Sequence, residues 1–258
     1  MNPVIRVGVF GAGGRMGATV CQTVLGAPDM ELVAAVDPVH AGEQVAGTTV
    51  TIGAGADALK EAGAEVAVDF TIIDAARENI RWCAANGVHA VVGTSGFTDA
   101  ECDDLARLFG KSNAVIVPNF AIGAVLMMRF AELAAPYFDS AEIIELHHDQ
   151  KADAPSGTAI STAQRIAAAS KEWGDDPTTK VVAEGARGAV VDGITVHSVR
   201  MRGMVASQEV VFGTTAQTLS IRHDTTDRES FMPGVLIAIR GVRETKGLTV
   251  GLDKLLGL

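Results

Sequence analysis

The first seventeen residues confine the fold most tightly. Val4 to Phe10 is a short apolar strand that breaks into Gly11-Ala12-Gly13-Gly14-Arg15-Met16-Gly17, and Ala18 to Leu25 then has helical character. A strand, a glycine turn and a helix in that order let the backbone approach a pyrophosphate, with the N–H groups of the helix start aimed at it. The spacing departs from the usual G-x-G-x-x-G. Gly11 and Gly13 are in place, but the third glycine, Gly17, comes one residue late, and the same run also reads as G-x-x-G-x-x-G through Gly14. Gly11, Ala12, Gly13, Gly14, Arg15 and Met16 are candidate nucleotide-binding residues. A turn of this kind can also be purely structural, so the next strand and its last residues decide between the two.

That strand, Glu31 to Val36, ends at Asp37, twenty residues past Gly17. An acid there accepts hydrogen bonds from an adenosine ribose, although a turn acid before Pro38 is the plain alternative. Helix-like and strand-like runs then alternate: 56–62, 66–70, 74–86, 88–92, 101–110 and 114–117. This alternation predicts an α/β, Rossmann-like, doubly wound parallel sheet. Ligands in such sheets sit beyond the carboxyl ends of the strands. Gly93, Thr94 and Ser95 follow one strand and Val117, Pro118, Asn119 and Phe120 close another, so both groups are expected to line the cofactor. The residues after Asp37 (Pro38, Val39, His40) include no arginine to meet a 2′-phosphate, which favours NADH over NADPH.

Beyond Ile122 the texture changes. A long apolar helix runs to about Tyr137, a polar loop spans 174–188, and 194–200, 207–214 and 218–223 read as strands without helices between them. This predicts a second, α+β domain with an open mixed sheet, mostly antiparallel, whose exposed face or edge oligomerisation would cover. A helix over 231–241 is expected to return to the first domain. The expected division is therefore 1–121 with 226–258 for the dinucleotide, and 122–225 for substrate and oligomerisation.

The densest chemistry lies in Glu145–Ala159, E-L-H-H-D-Q-K-A-D-A-P-S-G-T-A. A β-like run, 141–146, carries His147 and His148 at its end, and Ser156 is placed to cap a helix starting near Gly157. One region thus receives a titratable imidazole, the Lys151 ammonium, and the N–H groups and positive dipole end of a helix. A carboxylate substrate that must receive a proton fits this set. Alternation along a strand sends neighbouring side chains to opposite faces, so at most one of the two histidines points at a site while the strand persists. A metal site from His147, His148, Asp149 and Asp153 is disfavoured, because no H-x-x-x-H or C-x-x-C spacing supports it.

Composition narrows the partners. The chain of 258 residues carries a net charge of −10, which argues against nucleic acid and anionic membrane, and its 48% hydrophobic residues suffice for a substantial core. Cys21, Cys83 and Cys102 are odd in number and unpaired in spacing, as in a protein of the reducing cytoplasm. No signal peptide is evident, and the apolar stretch 114–128 is interrupted by Pro118 and Asn119 and is too short to span a bilayer.

Taken together, Gly11–Gly17 with its G-R-M-G ending, Gly93–Gly96, Pro118-Asn119-Phe120, and His147-His148 followed by Lys151 and Asp153-Ala154-Pro155-Ser156-Gly157-Thr158 resemble the 4-hydroxy-tetrahydrodipicolinate reductase (dihydrodipicolinate reductase) family. The resemblance covers essentially the whole chain. It implies NADH- or NADPH-dependent reduction of a cyclic dicarboxylate with loss of water, in lysine and diaminopimelate biosynthesis, by a homotetramer joined through the second-domain sheets, and the absence of a signal peptide makes a cytoplasmic setting the expectation. It further implies that His147 is the general acid/base, Lys151 a proton-donating, carboxylate-facing lysine, His148 a substrate contact, and Ser156, Gly157 and Thr158 the substrate turn. There are departures: Gln150 and Ser207 stand where related sequences often have histidine, and Ser95 where threonine is frequent. Two rivals of other classes are a nucleotide sensor with a dead site, which has no need of His147 and Lys151, and a metal-dependent hydrolase or lyase, which chelation would silence. A related reductase of another small carboxylate is the nearest alternative.

Overall fold

The structure, a computed structural model, describes residues 3–258. Two compact units emerge, one formed by the chain up to Phe120 together with Phe231–Leu258, the other by Ala121–Ser230. In the first unit the elements are β1 (Ile5–Phe10), α1 (Arg15–Gly26), β2 (Met30–Val36), β3 (Ile52–Gly53), α2 (Asp57–Glu61), β4 (Val66–Asp69), α3 (Ile73–Asn86), β5 (His89–Val92), α4 (Asp99–Ala106) and β6 (Ala114–Ile116). The second contributes α5 (Ile122–Ala134), β7 (Ser140–His147), α6 (Gly157–Ala169), β8 (Ala189–Val191), β9 (Ile194–Arg200), β10 (Ala206–Thr214) and β11 (Gln217–Thr225). The chain then returns to the first unit through α7 (Met232–Gly241), β12 (Leu248–Val250) and α8 (Asp253–Leu256).

The first unit is a seven-stranded sheet in the order β12-β6-β5-β4-β1-β2-β3, parallel at every pairing. Its strands are short and apolar on both faces because helices cover both: Val7 and Val9 of β1 and Val66 and Val68 of β4 are fully buried. Each such side chain contributes roughly 1.5–3 kcal/mol by leaving water. From β1 the chain proceeds outward to β2 and β3, whereas β4, β5 and β6 lie on its other side. The carboxyl ends of β1 and β4 therefore flank the point where strand order reverses, the usual place for a ligand in such sheets. Asp29 and Arg240 join α7 to this unit through a two-pronged ion pair at 2.7 and 2.9 Å.

Two helix starts lie two or more residues earlier than expected. α1 begins at Arg15 rather than Ala18, because Gly17 belongs to its first turn: a Cβ there would collide with the Gly11 carbonyl oxygen, so glycine permits the turn and helix to pack together. α4 spans Asp99–Ala106 rather than 101–110, since Thr98 and Glu101 form a capping box in which Thr98 N donates to Glu101 at 2.8 Å and Glu101 N to Thr98 Oγ1 at 3.3 Å. β3, β8 and β12 are two or three residues long and carry no readable period.

The second unit holds a five-stranded mixed sheet, β11-β10-β7-β9-β8, in which only β7 and β9 pair parallel. α5 and α6 pack together, α5 also against β11 and α6 against β9. Ile143, Ile166, Ile194, Val196, Val210 and Phe212 form the core between helix and sheet. Alternation along β7 places Ile143 and Glu145 in this buried layer, while Ile144 and Leu146 on the other face are only half-buried.

Candidate active site

In the first unit the glycine turn is built by backbone hydrogen bonds. Gly11, at φ 73°, takes the left-handed conformation that glycine tolerates, and its N–H donates to Val36 O at 2.8 Å. Gly14 is the N-cap of α1 and supplies no capping side chain, which leaves the first helical turn open to an outside acceptor. The contrast with the side-chain caps of α4 and α6 is informative, since those two starts are satisfied internally.

Asp37 lies at the end of β2 and is 8% exposed. Its Oδ2 accepts from Gly13 N at 3.1 Å, its Oδ1 accepts from Val39 N at 3.0 Å, and His40 Nδ1 stands 3.3 Å from Oδ1. Burial pushes its pKa up, but the neighbouring His40 ring and the Val39 and Gly13 hydrogen bonds outweigh that and leave the carboxyl below its ordinary value. The acid thus shapes the turn at the end of β2. Arg15 is exposed at the first position of α1.

Met16, Gly93, Thr94 and Ser95 come together around a cleft of about 500 Å³, joined by Phe70, Thr71, Ile72 and Ile73, which nothing in the sequence singles out. Asp69 organises these loops from beneath. It is 2% exposed and accepts from Thr71 N at 2.8 Å, Thr71 Oγ1 at 2.7 Å, Asn79 Nδ2 at 2.8 Å and Thr94 Oγ1 at 3.3 Å. The same Thr94 hydroxyl proton is shared with Thr71 O, at 2.9 Å, so its side chain faces inward and ties two loops together. Val117 and Phe120 are core residues, Phe120 stacking at 5.5 Å on Phe70, while Pro118 is exposed and Asn119 partly so. Val117 and Phe120 can therefore offer a ligand little beyond their backbone.

In the second unit the centre is Glu145, fully buried on β7. His147, two residues on and therefore on the same face, places Nδ1 2.5 Å from Glu145 Oε2. Arg200, the register partner of His147 on β9, grips the carboxylate with both terminal nitrogens at 2.9 and 2.8 Å. Ser156 N donates to Oε1 at 3.2 Å, and Ser198 also bonds to Glu145. Burial works to raise the Glu145 pKa, but Arg200, Ser198 and His147 outweigh it, so the group is held as an anion. For His147, burial is the largest influence and depresses the pKa, Glu145 opposes it, and Lys151 and Arg200 depress it further.

Ser156 caps α6, accepting from Ala159 N at 3.2 Å. With its N–H on Glu145 and its hydroxyl in the cap, it is buried, whereas Gly157 is exposed and Thr158 half-buried at the helix start. Thr158 O accepts from Thr162 Oγ1 at 2.7 Å, and Gln208 Nε2 donates to that same Thr162 hydroxyl at 2.8 Å. Lys151 Nζ stands 2.8 Å from both carboxylate oxygens of Asp153. His148 is exposed beyond the end of the strand, its Nδ1 accepting from Gln150 N at 3.3 Å. Among the described residues no group of three or more His, Cys, Asp or Glu side chains is close enough to hold a metal ion.

Glu145 and Arg200 have no role that the sequence alone announces. The i, i+2 spacing of Glu145 and His147 is visible there; the register that brings in Arg200, fifty-three residues beyond His147, is not.

Comparisons with known proteins agree with this architecture from end to end. Two family models match, "Dihydrodipicolinate reductase, N-terminus" over residues 5–120 and "Dihydrodipicolinate reductase, C-terminus" over residues 123–256. A 4-hydroxy-tetrahydrodipicolinate reductase of Cutibacterium acnes is 52% identical over 261 residues, covering 99% of this chain and 100% of the relative. That of Mycobacterium marinum is 52% identical over 258 residues, covering 98% and 100%. Among solved structures, a dipicolinate-bound dihydrodipicolinate reductase from Paenisporosarcina sp. TG-14 superposes with a TM-score of 0.87 at 42% identity, covering 97% of this chain and 99% of that one. A myo-inositol dehydrogenase from Corynebacterium glutamicum, 14% identical with a TM-score of 0.60 over 95% of this chain and 90% of that one, shares the fold alone. The chain belongs to the dihydrodipicolinate reductase family.

Proposed function

We propose that this protein reduces 4-hydroxy-tetrahydrodipicolinate to tetrahydrodipicolinate, with loss of water, at the expense of NADH or NADPH. The observation that carries the reading, given the family, is the seating of His147. One ring nitrogen is fixed on the buried Glu145 carboxylate, and Lys151 and the start of α6 come within the same connection.

Residues of the first unit suit a dinucleotide. The turn from Gly11 to Gly17 is packed so closely that a Cβ at Gly13 would collide with His40 and one at Gly17 with the Gly11 carbonyl, which keeps its backbone uncovered by side chains, and the start of α1 carries no side-chain cap. Gly11–Met16 would hold the pyrophosphate, Asp37 the adenosine ribose, and Gly93–Ser95 with Val117–Phe120 the nicotinamide half. A bound reduced nicotinamide supplies the hydride. Preference for NADH belongs to this proposal, supported by the Asp37 carboxylate and by the absence of arginine from Pro38-Val39-His40.

In the second unit, Lys151 and the N–H groups near Gly157 and Thr158 would hold the two carboxylates and fix the ring, a proximity effect. When hydride reaches the conjugated imine, electron density develops on the substrate, and His147 is placed to supply the proton. His148, outside the strand, serves binding. The half-buried outer face of β7, with Ile144 and Leu146, supports assembly into a homotetramer through the sheets, which sedimentation would test. Three free cysteines support a cytoplasmic setting, and among the described residues no helix is long and apolar enough to cross a membrane. The decisive assay measures the loss of 340 nm absorbance with NADH and freshly prepared substrate. No substrate-dependent oxidation of either cofactor would overturn the reading.

A further inference from the structure

Resting on that reading, we propose that Glu145 is a positioning residue, balanced by Arg200, that fixes the tautomer and orientation of His147 so that Nε2 is the ring nitrogen that exchanges a proton with substrate. The support is geometric. A carboxylate is seldom buried without a reason, and Glu145 is fully buried among polar partners: His147 Nδ1 at 2.5 Å, Arg200 at 2.8 and 2.9 Å, Ser156 N at 3.2 Å, and Ser198. An ionised carboxylate only accepts hydrogen bonds, so the ring must present Nδ1–H to it. The other nitrogen, Nε2, is then bare in the neutral ring and protonated in the imidazolium. On transfer the Nε2–H bond breaks and its electron pair stays on nitrogen. The proton goes to the substrate, Nδ1–H stays on Glu145, and solvent restores Nε2–H.

Arg200 has two functions in this arrangement. It neutralises Glu145, which keeps the carboxylate from acting as an unpaired buried charge, and its Nη2 also donates to Asp153 O at 2.6 Å. The same guanidinium thus anchors the loop that carries Lys151. The charged groups facing His147 are Glu145 from its own strand, Arg200 from β9 and Lys151 from the loop, with Asp153 beyond Lys151. Of these, Glu145 alone among its immediate partners favours the protonated ring, and its influence exceeds that of Arg200.

The first test uses the unmodified protein, without substrate, labelled with 15N-histidine, and His147→Gln assigns its signal among the six histidines. The neutral ring should show a protonated Nδ1 and a bare Nε2. A proton on Nε2, or averaging between the tautomers, overturns the proposal. Because no substrate is present, this result is independent of which dicarboxylate is reduced.

The second test uses Glu145→Gln and the double variant Glu145→Gln/Arg200→Met, which removes both charges and so avoids stranding a buried cation. In each, kcat should fall about 10- to 100-fold with KM changed less than threefold, by analogy with partners that orient metal-bound histidines. The basic limb of the kcat profile should move to lower pH by about 1–3 units as the anion is lost. Folded variants whose basic limb stays in place overturn the proposal, whatever their kcat. If neither variant folds, the nitrogen signals of the unmodified protein decide.

Discussion

Lys151 Nζ lies 2.8 Å from both Oδ1 and Oδ2 of Asp153, so the residue proposed to meet a substrate carboxylate already holds one. The Asp153 side chain is 63% exposed and that of Lys151 21% exposed, which makes this a solvated pair of the kind worth about 0.2–1 kcal/mol. A dicarboxylate held by Lys151 as proposed would displace Asp153 rather than meet an unengaged cation. Asp153→Asn should therefore tighten competitive inhibition by dipicolinate by up to about fivefold, the equivalent of that pair energy. Lys151→Ala should weaken it by tenfold or more. Inhibition unchanged by Lys151→Ala would mean that the carboxylates are held elsewhere.

His147 and His148 are adjacent but differently placed. His147 ends β7 with its side chain 16% exposed against Glu145, whereas His148 is exposed and its Nδ1 accepts from Gln150 N of its own turn. His147→Gln should lower kcat on the order of 10²–10⁴-fold, as expected when a general acid is removed. His148→Gln should act mainly on KM. Equal losses at the two positions, both confined to KM, would remove His147 from the proton-transfer step.

Acid should weaken the folded state in two stages. His147, His89 and His223 all have pKa values depressed chiefly by burial. An unfolded histidine protonates near ~6.5, so below that pH the unfolded chain binds more protons and stability falls until the folded-state values are passed. Asp37, Glu142 and Glu145 have depressed carboxyl pKa values despite burial, because their hydrogen bonds and ion pairs outweigh it. Their stabilisation is present above the ordinary carboxylate range of ~4 and is lost as pH falls through the folded values. Urea midpoints measured from pH 8 to pH 3 should decline first as pH falls below about 6.5, then again below about 4. A midpoint that rises on acidification from 7 to 5 would contradict the burial assigned to these imidazoles.

Periodicity and punctuation make most of the fold legible. Strand-helix alternation with glycine or proline turns leads directly to the parallel sheet, and His147, Lys151 and Ser156 are visible because they are close in sequence. The hidden part depends on register and on very short elements. Nothing local to Arg200 announces that β9 lies parallel to β7 and brings it opposite His147. Asp69 reads as the last residue of a strand, and its four acceptor contacts require Thr71, Asn79 and Thr94 to converge from separate elements. Gly17 reads as part of the turn because glycine is a poor helix former, yet close packing against Gly11 places it inside α1.

The preference between NADH and NADPH turns on Asp37. Its carboxylate holds Gly13 N and Val39 N and is kept ionised by those bonds and by His40, so a 2′-phosphate arriving there would meet a fixed negative charge. At an effective dielectric of ~20, like charges ~4 Å apart repel by about 4 kcal/mol, an upper bound for a flexible, solvated phosphate. Arg15 is exposed at the start of α1, and its long side chain can offset part of this repulsion by swinging across. The expected outcome is a bias towards NADH of up to tens-fold in kcat/KM. Since Asp37 also fastens the glycine turn, Asp37→Ala should weaken both cofactors, and the ratio between them, not either constant alone, is the readout. That ratio should shrink in Asp37→Ala and grow in Arg15→Ala, with the effect of the exposed Arg15 muted at high salt by screening. A tenfold preference for NADPH in the unmodified protein at low salt would refute this role for Asp37.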